Sequence, residues 1–290
     1  MNSAFKYFGG KVALAKELIP LIPAHKSYVE PFGGAAALLF AKHPSKVEVY
    51  NDLNSDLANF FRVLRSFEAT QVLHENLTYT PYSRAEYKNF LEVFNSLPNT
   101  IPPAGDVGRA FLWFYIQITS FSGRFGDSWG FSVAQNQART FANSIDRLPD
   151  LHTRFRHVLV ENNSYEEILF RYDTQQTFFY IDPPYVASTR KGGTYKHEMD
   201  DSDHENLLEI ITCPLLSSKV MLSGYRSPLY DDMLKDWHTI DFERRHCPSI
   251  GKTKETGLKG EGITNDTHRR TETIWLNYPP PTPIKQLQLL

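Results

Sequence analysis

Thr177-Phe178-Phe179-Tyr180-Ile181-Asp182-Pro183-Pro184-Tyr185 is the stretch whose reading decides the fold. Its first five residues are β-branched or aromatic, and such a run ended at once by a breaker reads as a buried strand. The two prolines fix φ twice and remove two backbone donors, so the chain after the strand is stiff and extended. A stiff loop at the carboxyl end of a buried strand is where open α/β sheets bind ligands. Asp182 offers a carboxylate, Pro183 and Pro184 offer carbonyls without competing N–H groups, and Tyr185 offers a flat ring. Together they suit a planar ring that carries an amino group. The same residues also suit a rigid turn whose aspartate caps the next segment.

The segments around it predict more strands and glycine turns. Ser27 to Glu30 reads as a strand running into Pro31-Phe32-Gly33-Gly34 and then a small-residue helix, Ala35 to Ala41. Strand, glycine turn and helix form the layout of a nucleotide-type cofactor site, but the G-x-G-x-x-G spacing of dinucleotide binders is absent. A second strand, Val47 to Tyr50, ends in Asn51-Asp52, and Asp52 lies 22 residues after Glu30. An acid there can accept from ribose hydroxyls or cap the helix predicted from Ser55 to Arg65. Asn54 and Ser55 can also do the capping, which would leave Asp52 available. At the amino end, Tyr7 and Phe8 lead into Gly9-Gly10, and Lys11 opens a helix predicted to run to Leu18. Paired glycines let backbone approach a ligand, and Lys11 suits either a carboxylate partner or solvent.

From Ser66 to Asp150 the alternation of strands and helices stops. Helical spacing at Tyr87, Phe90, Leu91 and Phe94 and the aromatic run Phe111 to Ile118 predict helices. Ser120 to Ser132 predicts a glycine-rich hairpin or loop presenting Arg124 and Trp129. This block reads as a mainly helical inserted lobe, 66–150, between the two parts of a catalytic domain, 1–65 and 151–290. Alternation then resumes with strand His157 to Glu161 and helix Tyr165 to Arg171. A glycine- and charge-rich loop follows, Tyr185 to Asp200. Ser202-Asp203-His204-Glu205 reads as a capping box for a helix to Ile211. Strand Lys219 to Ser223, helix Pro228 to Asp236 and strand His238 to Arg244 come next, and Thr273 to Leu276 closes the sheet. Between Arg244 and Arg270 there are seven Lys/Arg against three Asp/Glu, a net of four positive charges. Such a stretch is either a solvated loop or a surface for phosphates.

Composition narrows the class. A chain of 290 residues with 41% hydrophobic and 22% charged residues suits one large α/β domain or a domain with an insertion. No apolar run reaches the ~18 residues of a membrane span, and no signal-peptide core opens the sequence. Cys213 and Cys247 are too few for a disulfide framework, so a reducing cytoplasmic setting is expected. They lack metal-ligand spacing, and no metal is expected. A net charge of −2 means that a nucleic acid would have to be met by a local patch.

Four motifs occur in order: Phe8-Gly9-Gly10-Lys11, Glu30-Pro31-Phe32 with Gly34, Asn51-Asp52, and Asp182-Pro183-Pro184-Tyr185. In this order the chain resembles the Dam-like DNA adenine-N6 methyltransferases, whose recognition lobe lies between the cofactor motif and the DPPY motif. The similarity extends to Arg269-Arg270-Thr271-Glu272-Thr273. The resemblance implies a Rossmann-like α/β sheet that uses S-adenosylmethionine as methyl donor and an adenine of duplex DNA as acceptor. It implies cofactor contacts at Tyr7, Lys11, Glu30, Pro31, Phe32, Gly34, Asp52 and Asp182, with catalysis at Asp182 to Tyr185. DNA contacts are expected at Arg124, Trp129, Lys252, Lys254 and Arg269. Two departures are visible. Ala36 stands where the family usually has a glycine, and the Arg124 stretch lacks the asparagines of members that read GATC. Asparagine is the natural bidentate reader of adenine, so the GATC target does not carry over. The same chemistry fits an amino group of RNA or a glutamine amide, and a family member without activity could act as a binding module. Neither a restriction endonuclease partner nor an oligomeric state is written in these residues.

Overall fold

The computed structural model describes residues 3–7, 10–102, 105–186, 197–245 and 269–281. The first part of the chain gives α1 (Ala15–Leu18), β1 (Ser27–Glu30), α2 (Ala37–Ala41), β2 (Val47–Asn51) and α3 (Ser55–Arg65). Five helices follow before the next strand: α4 (Phe67–Thr78), α5 (Arg84–Ser96), α6 (Val107–Thr119), α7 (Gln137–Asp146) and α8 (Leu148–Phe155). The remainder is β3 (Leu159–Glu161), α9 (Tyr165–Tyr172), β4 (Thr177–Ile181), α10 (Asp201–Thr212), β5 (Lys219–Gly224), α11 (Pro228–Met233), β6 (His238–Arg245) and β7 (Arg269–Leu276).

The strands form one sheet in the order β3-β2-β1-β4-β5-β7-β6. The first five are parallel to their neighbours, and β7 runs antiparallel to both β5 and β6. Strand order reverses between β1 and β4, which pair in register from Ser27↔Thr177. All five residues of β4 are buried, as expected of a parallel strand covered on both faces. Because successive side chains alternate, Phe178 and Tyr180 join the larger core on one face. Phe179 and Ile181 join the smaller one on the other, which α9, α10 and α11 cover.

The larger core runs without a break from the sheet into the helices between β2 and β3. Phe60 on α3 stacks on Phe114 of α6 at 4.9 Å, and Phe61 stacks on Phe155 of α8 at 4.7 Å. Phe5 meets Trp113 edge-on at 5.2 Å. The amino-terminal segment therefore rests on the helical block as well as on the sheet.

Several expected boundaries move for physical reasons. The Lys11 carbonyl accepts from Leu14 and Ala15 at 2.9 Å, so the chain turns first and α1 starts only at Ala15. Helix α2 starts at Ala37 because Ala36 is left-handed, φ 54°. The capping box of α10 is Asp200 with Asp203, each side chain reaching the other's backbone N–H at about 3 Å, and not the tetrad from Ser202. Strand β7 begins at Arg269 and lies inside the sheet, so β6 rather than Thr273 to Leu276 forms that edge. The glycine- and charge-rich residues 187–196 and most of the basic stretch lie outside the described residues, as does Cys247. Cys213 is a half-buried free thiol.

Candidate active site

The carboxyl ends of β1, β2, β3 and β4 open on a cavity of about 280 Å³. Asn51, fully buried at the end of β2, ties three of those ends together. Its amide donates to the carbonyls of Pro31 (2.8 Å) and Asn163 (3.0 Å), and its oxygen accepts from the Asn163 backbone (2.9 Å). The turn after β1 packs against Tyr50. A Cβ at Gly33 would lie 2.2 Å from the Tyr50 ring, so only glycine fits. The Tyr50 hydroxyl donates to the Gly34 carbonyl at 2.9 Å. Gly34 is left-handed, φ 48°, and its N–H donates to Asp52 at 2.9 Å.

Asp52 is therefore not free of structural work. Its other oxygen accepts from the Asn54 backbone at 2.8 Å, while Asn54 itself caps α3. Burial pushes the Asp52 carboxyl up to about 6, against the two backbone donors that favour its charge. Glu30 turns inward as well, accepting from the Tyr28 hydroxyl (2.5 Å) and from the Leu39 backbone in α2 (3.0 Å). Burial pushes it up to about 8, opposed by the Tyr28 hydroxyl and Lys42. Phe32 stacks on Tyr165 at 5.3 Å, and Pro31 contributes the carbonyl held by Asn51. Tyr7 also lines the cavity; Phe8 and Gly9 lie outside the described residues.

Lys11 stands at the end of β4. Its ammonium lies 2.8 Å from Asp182 Oδ1 and 3.0 Å from Glu272 Oε1, donates to the Tyr185 hydroxyl and sits 4.6 Å from that ring's centre. Burial works against its charge, but Asp182 and Glu272 outweigh burial and hold its pKa well above the usual lysine range. Asp182 is pushed up to about 6, chiefly by burial, with Lys11 opposing and Glu272 adding to the rise. Burial would raise Glu272 too, but Lys11 and the Tyr185 hydroxyl hold it below the ordinary glutamate value. The Tyr185 ring is buried edge-on against Tyr225 at 4.5 Å, with its hydroxyl donating to Glu272. Pro184 lines the cavity beside Asp182, and Pro183 is buried.

Sequence reasoning passed over two of these residues. Glu272 is a buried acid within β7, and its signal was a carboxylate in a run of inward-facing residues. Tyr180 read only as a strand residue. Its hydroxyl is buried without a hydrogen-bond partner among the described residues, and the side chain lines the cavity. The cavity thus offers a carboxylate, a stacked aromatic pair and an unsatisfied buried hydroxyl. These donors and acceptors fit a planar, polar ligand of nucleoside type.

Away from the cavity, the Ser120 to Ser132 stretch is pinned by a bridge between Ser120 and Trp129. Arg124 is exposed, and Trp129 is half-buried beneath Arg84, whose guanidinium lies 4.9 Å from its ring centre. Arg269 opens β7 opposite Arg245. Lys252 and Lys254 lie outside the described residues. Among the described residues there is no group of three or more His, Cys, Asp or Glu placed to hold a metal. No helix there is long and apolar enough to cross a membrane.

Residues 7–246 match the family model described as D12 class N6 adenine-specific DNA methyltransferase. The chain is 26% identical to the Type II methyltransferase M1.LlaDCHI of Lactococcus lactis subsp. cremoris, over 94% of each chain. It is 25% identical to the DNA adenine methylase of Salmonella typhi, over 88% of this chain and 92% of the relative. It is 24% identical to the modification methylase StsI of Streptococcus sanguinis, over 73% of this chain but only 33% of that larger protein.

Proposed function

Since the chain belongs to the D12 class N6 adenine-specific DNA methyltransferases, we propose that it transfers the methyl group of S-adenosylmethionine to the N6 amino group of an adenine swung out of duplex DNA. The observation that carries this reading is Asp182. Its Oδ1 is held by Lys11, and the side chain lines the cavity beside Pro184. An exocyclic amino group is a poor nucleophile because its lone pair is delocalised into the ring. Accepting its N–H bonds at Asp182 and at the Pro183 carbonyl favours a pyramidal nitrogen whose lone pair is directed at the donor. When bound, S-adenosylmethionine supplies a methyl group on a good leaving group, so the protein's task is alignment and polarisation.

In this reading Asp52 accepts from the donor's ribose, the Phe32 and Tyr165 pair flanks its base, and Glu30, Gly34 and Tyr7 shape the cavity wall. Lys11 fixes Asp182. Tyr185 was expected to stack on the extruded adenine, but its ring is buried against Lys11 and Tyr225 and does not line the cavity, so in this reading it holds Lys11 and Glu272 beside Asp182. Arg124 and Trp129 read the target. Arg269, with Lys252 and Lys254, meets phosphates. Residues 66–150 serve as the target-recognition lobe, and 1–65 with 151–290 as the catalytic domain.

Tritiated methyl transfer to DNA, RNA and protein tests the acceptor. Incorporation into adenine of duplex DNA is expected, and incorporation into RNA or protein alone would overturn the reading. Asp182→Ala should abolish transfer, and Asp182→Asn should lower it by roughly 10²–10⁴-fold, the range for loss of a positioned acid–base group.

A further inference from the structure

Methylation of an amino nitrogen creates positive charge where Lys11 already stands. As the nitrogen lone pair forms the N–C bond, the C–S bond breaks with its electrons going to sulfur. The nitrogen turns cationic until it releases one proton to the Asp182 carboxylate beside it, from which the proton passes to solvent. Beside that nitrogen, Lys11 and Asp182 alone would cancel and offer it no net charge. Glu272 changes this balance. It projects from β7, and its side chain is 11% exposed. Oε1 receives Lys11 at 3.0 Å, the Ser223 hydroxyl of β5 at 3.2 Å, and the Tyr185 hydroxyl. The Tyr185 hydroxyl, in turn, accepts from Lys11. The donors of Lys11 are thereby divided among Asp182 Oδ1, Tyr185 and Glu272 rather than folded over both oxygens of Asp182.

We propose that Glu272 is a positioning residue for methyl transfer: it shares Lys11 and Tyr185 with Asp182, which loosens their hold on the Asp182 carboxylate that meets the adenine amino group, and it leaves the cluster one negative charge in excess. The proposal rests on the adenine-N6 reading above. Glu272 lies beyond residues 7–246, the part of the chain that the family model matches. It does not line the cavity, so it acts through Lys11, Tyr185 and Asp182 and not by touching substrate.

The groups facing Asp182 are Lys11 before α1, Tyr180 on β4, Tyr185 after it, Tyr230 on α11 and Glu272 on β7. Of these, Glu272 is the carboxylate that raises the Asp182 pKa. Glu272→Gln keeps the shape and an accepting oxygen but removes the charge. The Asp182 pKa should therefore fall, and the acid limb of the rate profile should move to lower pH.

The test compares wild type, Glu272→Gln and Ser223→Ala on duplex DNA from pH 5 to 9, after wild-type transfer to adenine has been established. Separately, a ¹³C NMR titration of the Asp182 carboxyl, assigned by its loss in Asp182→Asn, is run on ligand-free protein. For Glu272→Gln, kcat should fall at least tenfold at pH 8, with KM for donor and DNA within about threefold of wild type. Both the acid limb and the Asp182 titration should shift down. Ser223→Ala should keep its acid limb in place. Unchanged kcat would overturn the proposal. So would a rate loss with an unmoved acid limb and an unmoved Asp182 titration, which would mark Glu272 as a structural residue. Absence of wild-type transfer to adenine would instead defeat the adenine-N6 reading, while the titration would still report whether Glu272 sets the charge state of Asp182.

Discussion

A residue's burial state and its hydrogen-bond account can disagree, and Tyr180 is the clearest case. Its ring is packed in the larger core, yet its hydroxyl is buried with no partner among the described residues. Leaving such a group unsatisfied costs about 1–3 kcal/mol, so Tyr180→Phe should leave the ligand-free protein at least as stable as wild type. If the hydroxyl meets the methyl donor, the same substitution should weaken donor binding by about 0.5–1.5 kcal/mol. Thermal denaturation with and without S-adenosylmethionine reads both effects. The expected result is an unchanged or raised apo Tm with a smaller donor-induced shift. A donor shift equal to wild type would show that the hydroxyl does not face the donor. Asp52 poses the opposite case: both its oxygens accept, and burial still pushes it, like Asp182, up to about 6. They serve the site as carboxylates only above that pH.

The glycine turn between β1 and α2 shows how tightly an element constrains its sequence. At Gly33 a Cβ would strike the Tyr50 ring at 2.2 Å, and Tyr50 also holds the Gly34 carbonyl. Gly33→Ala should therefore cost about 1–3 kcal/mol by overpacking and weaken donor binding as Gly34 shifts against Asp52. A melting temperature and a donor affinity both equal to wild type would mean that Tyr50 yields freely. At Ala36 the terms nearly balance. The left-handed backbone costs an alanine roughly 1–2 kcal/mol, but glycine there would lose a buried methyl worth about 0.8 kcal/mol and add unfolded-state entropy. This offset explains how alanine stands where the resemblance leads one to expect glycine. Strands β1, β2 and β4 and the loops that follow them were legible because each joins an apolar run to a local breaker. Helix α1 was overestimated because the Lys11 carbonyl turns the chain before Ala15, a backbone detail that side-chain pattern does not encode. Glu272 was passed over for a different reason. Its meaning depends on β7 pairing beside β5, a contact between Gly224 and Thr273 that no local motif announces.

At the scale of the whole molecule, the stretch proposed to read the target is joined to the segment that carries Lys11. Gln117 of α6 is fully buried, and its amide donates at 2.9 Å both to the Lys6 carbonyl and to the Gly123 carbonyl. A Cβ on Gly123 would lie 2.7 Å from that same Lys6 carbonyl, so the two backbones touch. Arg124 follows Gly123 directly and points from this junction as an exposed side chain. A bidentate contact from Arg124 to a guanine edge would supply about 1–3 kcal/mol of discrimination. Contacts to phosphate carry affinity without sequence information. Arg124→Ala should therefore relax the target at one base pair and leave S-adenosylmethionine affinity unchanged, because the backbone bonds of Gln117 survive the truncation. Mapping methylated adenines in a random-sequence duplex gives the target motif, and calorimetry gives the donor affinity. A motif unchanged at every position would remove Arg124 as the reader. Relaxed specificity accompanied by lost donor affinity would mean instead that the Gln117 junction transmits disturbance from the lobe to Lys11. In that case target reading and donor binding would have to be treated as one coupled site.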